Sequence, residues 1–262
     1  MYAEERQRAI ADLITEHGRA AVNELAERFA VTGETVRRDL DVLERSGHLR
    51  RVHGGAVPMR AIRIAESGVD VRAETNPADK RAIGAAAARF APHDGGTLLI
   101  DAGTTTIEAA RSLPRDRTLS VFTNSVAVAG VLAMTMTAGR GGHTLDLHIL
   151  GGRVRGLTQA AVGVSAVSAL ARLRVDVAFV GTNALSVGQG LATPDPDEAA
   201  VKAAMIAAAN RVVVLCDSSK LERDDVVSFG SLDDIDVLVT DDGITTEFSH
   251  ELTDKGVEVV IA

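Results

Sequence analysis

Between residues 96 and 243 the chain repeats one pattern: an apolar run ends in small polar residues. GTLLIDAGTT, LSVFTNS, DLHILGG, VDVAFVGTN, RVVVLCDSS and DVLVTDDG all follow it. Continuous apolar runs of this length read as strands buried on both faces. IEAARSL, VAVAGVLAM, AVSALARL and EAAVKAAMIAAA lie between them with helical character. Strands alternating with helices close only as crossover units, so the pattern predicts an α/β domain with a mainly parallel sheet. Its opening is marked by Asn76-Pro77, an N-cap followed by proline at the first helical position, leading into the alanine-rich helix Ala78–Phe90.

In such a sheet the ligand lies at the carboxyl ends of the strands. Those ends here are Asp101-Ala102-Gly103-Thr104-Thr105, Thr123-Asn124-Ser125, Gly151-Gly152-Arg153, Gly181-Thr182-Asn183 and Asp217-Ser218-Ser219-Lys220. Glycine lets backbone approach an anion, and N–H groups and hydroxyls at a helix start suit phosphate. Singly, each is ordinary turn and cap chemistry. Five from one sheet are expected to converge on one rim as a polar pocket with a cation beside it. Glu198 and Lys202 stand i, i+4 at a helix start. They form either a surface ion pair or a pair of side chains turned into the pocket.

The first sixty residues follow another rule. Glu4–His17, Val22–Phe29 and Thr32–Ser46 each carry apolar residues at spacings of three and four, and Gly18 and Gly47 serve as stops. Thr32 is placed to cap the third helix. Val36, Leu40 and Leu43 form its apolar stripe, while Thr35, Arg37, Arg38 and Asp41 fall largely on other faces. Two helices joined by a short AVTG link read as helix-turn-helix, and HLRRVHGGAV reads as a hairpin wing carrying Arg50, Arg51 and His53. An amphipathic helix with adjacent arginines is also common as a solvated surface. The three helices followed by a basic wing favour DNA: Arg37 or Arg38 can bond guanine O6 and N7, and the wing can bond phosphate. Asp39 would repel phosphate and is better placed as an internal partner that orients an arginine.

Net charge limits how DNA can be held. The 262-residue chain carries −8, so DNA affinity must come from a local patch. At 46% hydrophobic and 24% charged residues it reads as globular. Cys216 is the only cysteine and sits in an apolar strand; an intrachain disulfide and a cysteine-based zinc finger are excluded, and the seven histidines show no ligand spacing. No metal or cofactor is expected. MYAEERQRAI lacks the apolar core of a secretory signal, and AAMIAAA is far short of a membrane span. A soluble cytoplasmic protein is therefore expected, with no membrane partner.

ERQRAIADLI and VNELAERFAVTGETVRRDLDVLERSGHLRRVHGGAV resemble the N-terminal domain of DeoR-type bacterial transcription regulators, on Thr32, Thr35, Val36, Arg37, Arg38, Asp39, Leu40, His53, Gly54 and Gly55. Serine is the commoner residue where Thr32 stands. DAGTT, FTNS, ILGGRVR, VDVAFVGTNAL, the EAAVKAAMI helix and VVVLCDSSK resemble the C-terminal sensor domain of the same regulators. That resemblance implies a fold similar to ribose-5-phosphate isomerase that binds phosphorylated sugars. MYAEER, TQAAVG and GVEVVIA are similar to the regulators of actinobacterial fructose operons, which implies fructose 1-phosphate as effector.

The expected organisation is a winged helix-turn-helix over residues 1–57, a connection over 58–76 and an α/β sensor domain over 77–262. The expected partners are operator DNA, a phosphorylated sugar and further copies of the chain, as a dimer or tetramer. An isomerase fused to a DNA module is the rival reading, with Asp101, Asp176, Asp217 or Glu198 as its base. Against it, GTNALSVGQGLATPDPD resembles a binding loop rather than the catalytic segment of an isomerase.

Overall fold

The computed structural model describes residues 3–17, 20–45, 49–52, 55–58, 67–136 and 144–262. The chain divides into two compact units, Met1–Ile62 and Arg63–Ala262.

The first unit runs α1 (Ala3–His17), β1 (Ala20–Ala21), α2 (Val22–Phe29), α3 (Gly33–Arg45), β2 (Leu49–Val52) and β3 (Gly55–Pro58). Ile10 and Ile14 of α1, Leu25 of α2, Val36 and Leu40 of α3 and Leu49 of β2 are fully buried together. These are the three-and-four positions of each helix, so the periodicity is the packing surface. Between α2 and α3, Ala30 adopts a left-handed conformation with φ +50°. The Val31 N–H there donates to the Ala26 carbonyl at 3.0 Å and turns the chain. β2 and β3 pair as the antiparallel hairpin read as a wing, and β1 extends it on the far side of β3, a strand too short to show periodicity. Gly18, Gly47, His53 and Gly54 lie outside the described residues.

The second unit begins with α4 (Val69–Glu74) and α5 (Pro77–Ala87), continued by a 3₁₀ turn at Ala88–Phe90. Then follow β4 (Thr97–Ile100), α6 (Thr104–Arg111), β5 (Leu119–Thr123), α7 (Val126–Met136), β6 (Leu145–Ile149), β7 (Arg153–Arg155), β8 (Ala160–Val162) and α8 (Val164–Leu170). The remainder is β9 (Val175–Gly181), β10 (Ala184–Ser186), β11 (Gly190–Thr193), α9 (Pro196–Ala208), β12 (Ala209–Leu215), β13 (Val227–Gly230), β14 (Val237–Thr240), α10 (Thr246–Asp254) and β15 (Glu258–Ile261). The stretch 58–76, read as a featureless connection, thus contains a helix; residues 59–66 of it lie outside the described residues.

Seven parallel strands form one sheet in the order β15-β14-β12-β9-β4-β5-β6. Alternate residues face opposite helical layers. Leu98, Ile100, Val177 and Phe179 pack with Ile83 of α5, Ala109 of α6 and Leu132 of α7. Leu99, Ala178 and Val180 pack with Leu170 of α8, Met205 of α9 and Leu252 of α10. The chain winds outward from β4 toward β6, then returns to the other side of β4 and continues through β9. β4 and β9 therefore flank the switch point, where neighbouring crossovers diverge and leave a crevice.

Two expectations need correction. DLHILGG, read as a buried strand, supplies β6 at the sheet edge, where His148 and Ile149 are exposed because only one neighbour covers the strand. GTNALSVGQGLATPDPD, read as a loop, folds mostly into the β10–β11 hairpin, which pairs on with β13. Gly190 is needed there: its φ is +75°, and a Cβ would lie 2.2 Å from the Gly230 carbonyl oxygen.

Candidate ligand cavity and DNA-reading surface

A cavity of about 450 Å³ opens at the carboxyl ends of β4, β9 and β12. From the β4 end it takes Gly103, Thr104 and Thr105; from β9, Gly181, Thr182 and Asn183; from β12, Asp217 and Lys220. Glu198 and Lys202 of α9 also face it. α6 starts at this rim, and the N–H groups of its first turn have no carbonyl partner within the helix, which makes it a positive end. Thr106 Oγ1 bonds back to the carbonyls of Asp101 (2.7 Å) and Gly103 (2.9 Å), setting the turn. Gly103 is extended at φ 179°, so its use is close packing against Thr106 rather than a special conformation.

Beneath the rim, Lys202 Nζ donates to Asp101 Oδ2 and, at 2.9 Å, to the Gly181 carbonyl. The Gly181 N–H donates to the same Asp101 oxygen at 3.1 Å. Burial pushes the Asp101 carboxyl up, and the Lys202 charge pulls against it. Lys202 also stands 5.5 Å from the Phe229 ring centre. Asp101 is thus a buried brace that holds Lys202 at the cavity wall. Glu198 does not pair with Lys202, although the two stand i, i+4. It accepts from Arg155 Nη1 at 2.5 Å and from Thr158 Oγ1. The surface-pair reading fails because both side chains are buried, Lys202 against Asp101 and Gly181 and Glu198 against the β7–β8 hairpin.

The β5 and β6 ends do not join this rim. Thr123 Oγ1 donates to the Ile100 carbonyl at 2.7 Å, and Asn124 Nδ2 to the Ala161 carbonyl at 3.1 Å. Gly152 lies against the Val162 backbone, Gly151 has open space around it, and Arg153 pairs with Asp197 at 2.5 Å on the surface. Of these five expected ligand residues, Asn124 and Gly152 instead meet β8 of the β7–β8 hairpin, Thr123 ties β5 to β4, and Arg153 reaches α9. The hairpin is what delivers Arg155 and Thr158 to Glu198. Asp176, nominated as a base, sits at the opposite, amino-terminal end of β9 and accepts from Thr97.

The cavity also has residues that no strand end announces. Arg72, Thr75 and Asn76, together with Lys80 of α5 and Arg223, line it. Asn76 holds the N-cap position, but its side chain makes no cap; it donates to Asp217 Oδ1 at 3.2 Å. Lys80 falls in step with Ile83, Gly84 and Ala87 on the buried stripe of α5. A lysine on a core stripe was the available signal. Its Nζ donates to the carbonyls of Arg72 and, at 2.6 Å, Thr75. Burial pushes its ammonium below the usual lysine range, against the pull of Asp217. Five cations, Arg72, Lys80, Lys202, Lys220 and Arg223, thus face a wall whose lining carboxylates are Glu198 and Asp217. Cys216 is buried beside it, and burial raises its thiol, as for an inert structural cysteine. Among the described residues no group of three His, Cys, Asp or Glu could hold a metal, and no helix is long and apolar enough to cross a membrane.

On α3, Thr32 Oγ1 accepts from the Thr35 N–H at 3.2 Å and shares a 2.9 Å hydrogen bond with the Thr35 hydroxyl. Arg37 and Arg38 are exposed and lean toward Glu34 at 3.7 and 3.5 Å. Asp39 is buried and accepts from Arg6 Nε at 2.6 Å and Gln7 Nε2 at 2.8 Å, so the arginine it orients belongs to α1. Arg50 and Arg51 fall on β2.

A winged helix-turn-helix joined in one chain to a doubly wound α/β unit defines a two-domain regulator of the helix-turn-helix class. Family comparison agrees for both parts: residues 6–60 match the DeoR-like helix-turn-helix domain and residues 75–242 the DeoR C terminal sensor domain. The chain is 37% identical over 260 residues to the HTH-type transcriptional regulator GlpR of Haloferax volcanii, covering 99% of this chain and 98% of that one. It is 32% identical to the uncharacterized HTH-type transcriptional regulator FruR of Bacillus subtilis, covering 92% of each. It is 30% identical to the putative aga operon transcriptional repressor of Escherichia coli O157:H7, covering 98% and 93%. The chain belongs to the DeoR family of DNA-binding transcriptional regulators; these relatives are regulators by name, not enzymes. Similar solved structures include ribose 5-phosphate isomerase A of Methanocaldococcus jannaschii, at TM-score 0.39 and 21% identity over 56% of this chain and 55% of that one. Another is eIF2B beta of Chaetomium thermophilum, at TM-score 0.40 and 13% identity over 85% and 57%.

Proposed function

We propose that the chain represses a sugar-utilisation operon and is released from operator DNA when a phosphorylated sugar enters the cavity of the second unit. The observation that carries this is the cavity's charge: five cations and the positive end of α6 face a space whose lining carboxylates are two, with the buried Asp101 beneath offsetting Lys202. An anion of charge near −2 relieves that repulsion, and phosphate matches both the backbone N–H groups and the cations. The Thr104 and Thr105 hydroxyls remain for sugar hydroxyls, whereas the Thr182 hydroxyl already donates to the Ala184 and Ala192 carbonyls and Glu198 already accepts from Arg155 and Thr158. Ligand-binding roles go to Gly103, Thr104, Thr105, Gly181, Thr182, Asn183, Glu198, Lys202, Asp217 and Lys220, with Asp101 as brace. DNA-reading roles go to Thr32, Thr35, Arg37, Arg38, Arg50, Arg51 and His53. Fructose 1-phosphate is the effector, on the likeness of MYAEER, TQAAVG and GVEVVIA to regulators of fructose operons.

The protein works in the cytoplasm as a homo-oligomer, because one short helix reads too few bases for selectivity and symmetric pairing doubles the number read. Ligand and DNA are linked by a coupling free energy of ~1–3 kcal/mol, a several-fold to hundredfold change in DNA affinity. The test is titration of the operator complex with fructose 1-phosphate, fructose 6-phosphate, glucose 6-phosphate and ribose 5-phosphate. Release by fructose 1-phosphate at the lowest concentration is expected. No change in operator affinity with any of them overturns the reading.

A further inference from the structure

Arg72 carries a contradiction. Its Nε is buried, yet has no hydrogen-bond partner among the described residues. A buried donor without a partner is costly, more so on a cation. It also lines the cavity beside Lys80, itself a buried cation. Among the described residues nothing local requires an arginine there: α4 buries only Val69. What the helix does have is a set of polar ties. Lys80 Nζ ties the Arg72 and Thr75 carbonyls, Asn76 reaches Asp217, and the Val69 N–H donates to the Leu157 carbonyl at 2.8 Å. A short helix of six residues has little stability of its own, so these ties hold it against the cavity mouth.

We propose that Arg72 is an anion-recognition residue of the cavity, and that through it the bound phosphate clamps α4, the first described helix after the junction between the two units at Ile62 and Arg63. This rests on the phosphorylated-ligand reading and adds the route by which the ligand is felt. The guanidinium presents a planar fork that matches phosphate, and an anion bound in the cavity gives the orphaned Nε an acceptor. Lys80 is the positioning residue: two of its three N–H donors hold the end of α4, which fixes where Arg72 sits. Occupancy therefore fastens the segment through which the sensor unit connects to the reading head.

Calorimetric titration of the full-length protein with fructose 1-phosphate and with inorganic phosphate tests this, with Arg72→Gln and Arg72→Lys beside the wild type. Arg72→Gln is expected to weaken binding by about tenfold or more, the scale of one charge-assisted hydrogen bond. Arg72→Lys, which keeps the charge without the fork, is expected to fall between the two. Hydrogen exchange of the wild type supplies a measurement that no variant's folding can spoil: phosphate should slow exchange of the amides of residues 69–76. Equal affinity of wild type and Arg72→Gln, or exchange at 69–76 indifferent to ligand, overturns the clamp. Wild type that binds inorganic phosphate through Arg72 but none of the sugar phosphates overturns the sugar reading and leaves the clamp standing. Wild type that binds neither overturns both.

Discussion

Asp39 stands next to Arg38 on α3 yet is bonded to Arg6, thirty-three positions earlier, at 2.6 Å from Nε. Hydrogen bonding to Asp39 raises the Arg6 guanidinium above even the usual arginine range. The pair ties α1 to α3. Arg6→Met strands a buried carboxylate and is expected to cost about 3–5 kcal/mol, while adding Asp39→Leu recovers most of it. Urea unfolding of the two variants measures both values.

Thr32 caps α3 through a single hydroxyl. Thr32→Ala is expected to lower stability by about 1 kcal/mol, and Thr32→Ser to stay near wild type, because serine supplies the same acceptor. Thermal melts resolve the difference.

Arg37 and Arg38 keep 53% and 78% of their side-chain surface exposed. Replacing both with alanine should change stability by no more than about 0.5 kcal/mol. Operator affinity should fall, and the salt slope should drop by about 0.9 for each DNA phosphate that the variant no longer neutralises. Glu34 leans on both arginines and repels phosphate. Glu34→Gln is therefore expected to tighten DNA binding, read from the same salt-dependent titration.

Lys202 and Asp101 form an ion pair beneath the cavity, both almost wholly buried. Lys202→Met leaves the carboxylate uncompensated, and a loss of about 3–5 kcal/mol is expected. Combined Asp101→Asn and Lys202→Met removes both charges and is expected to be the more stable of the two variants. Denaturant midpoints decide this.

Asp176 ties the amino-terminal ends of β4 and β9. The Thr97 N–H and hydroxyl each donate to it at 2.8 Å and hold its carboxyl below the usual carboxylate range. A lowered folded value means a contribution present above the ordinary aspartate range and lost as pH falls through the folded value. Melting temperatures of wild type and Asp176→Asn should differ at neutral pH and converge in acid below that range.

Much of the fold is legible in the chain because it depends on local order. Periodicity in the first sixty residues follows from each helix having one face to bury, and Val22–Phe29 begins and ends where that spacing says. The six apolar runs all became strands, five of them inside the sheet with both faces covered and DLHILGG at its edge. The antiparallel pieces β7, β8, β10, β11 and β13 were not legible, being three or four residues long and defined by their partners.

Which strand ends meet is a different kind of fact. DAGTT and FTNS look equivalent in the chain, yet only the first opens the cavity, because the switch point falls between β4 and β9 and strand order is set by long-range pairing. Glu198 and Lys202 are i, i+4 neighbours by sequence but answer to Arg155 and Asp101 by packing. Arg72 and Lys80 gave no signal as a pair until α4 was seen lying against the cavity. Composition and periodicity thus determined by themselves a winged helix-turn-helix followed by an α/β unit with a mainly parallel sheet, since burial of an apolar face is a local demand. The tertiary structure alone decided which polar residues share a cavity, since their separations in space depend on strand order, which no short stretch of sequence contains.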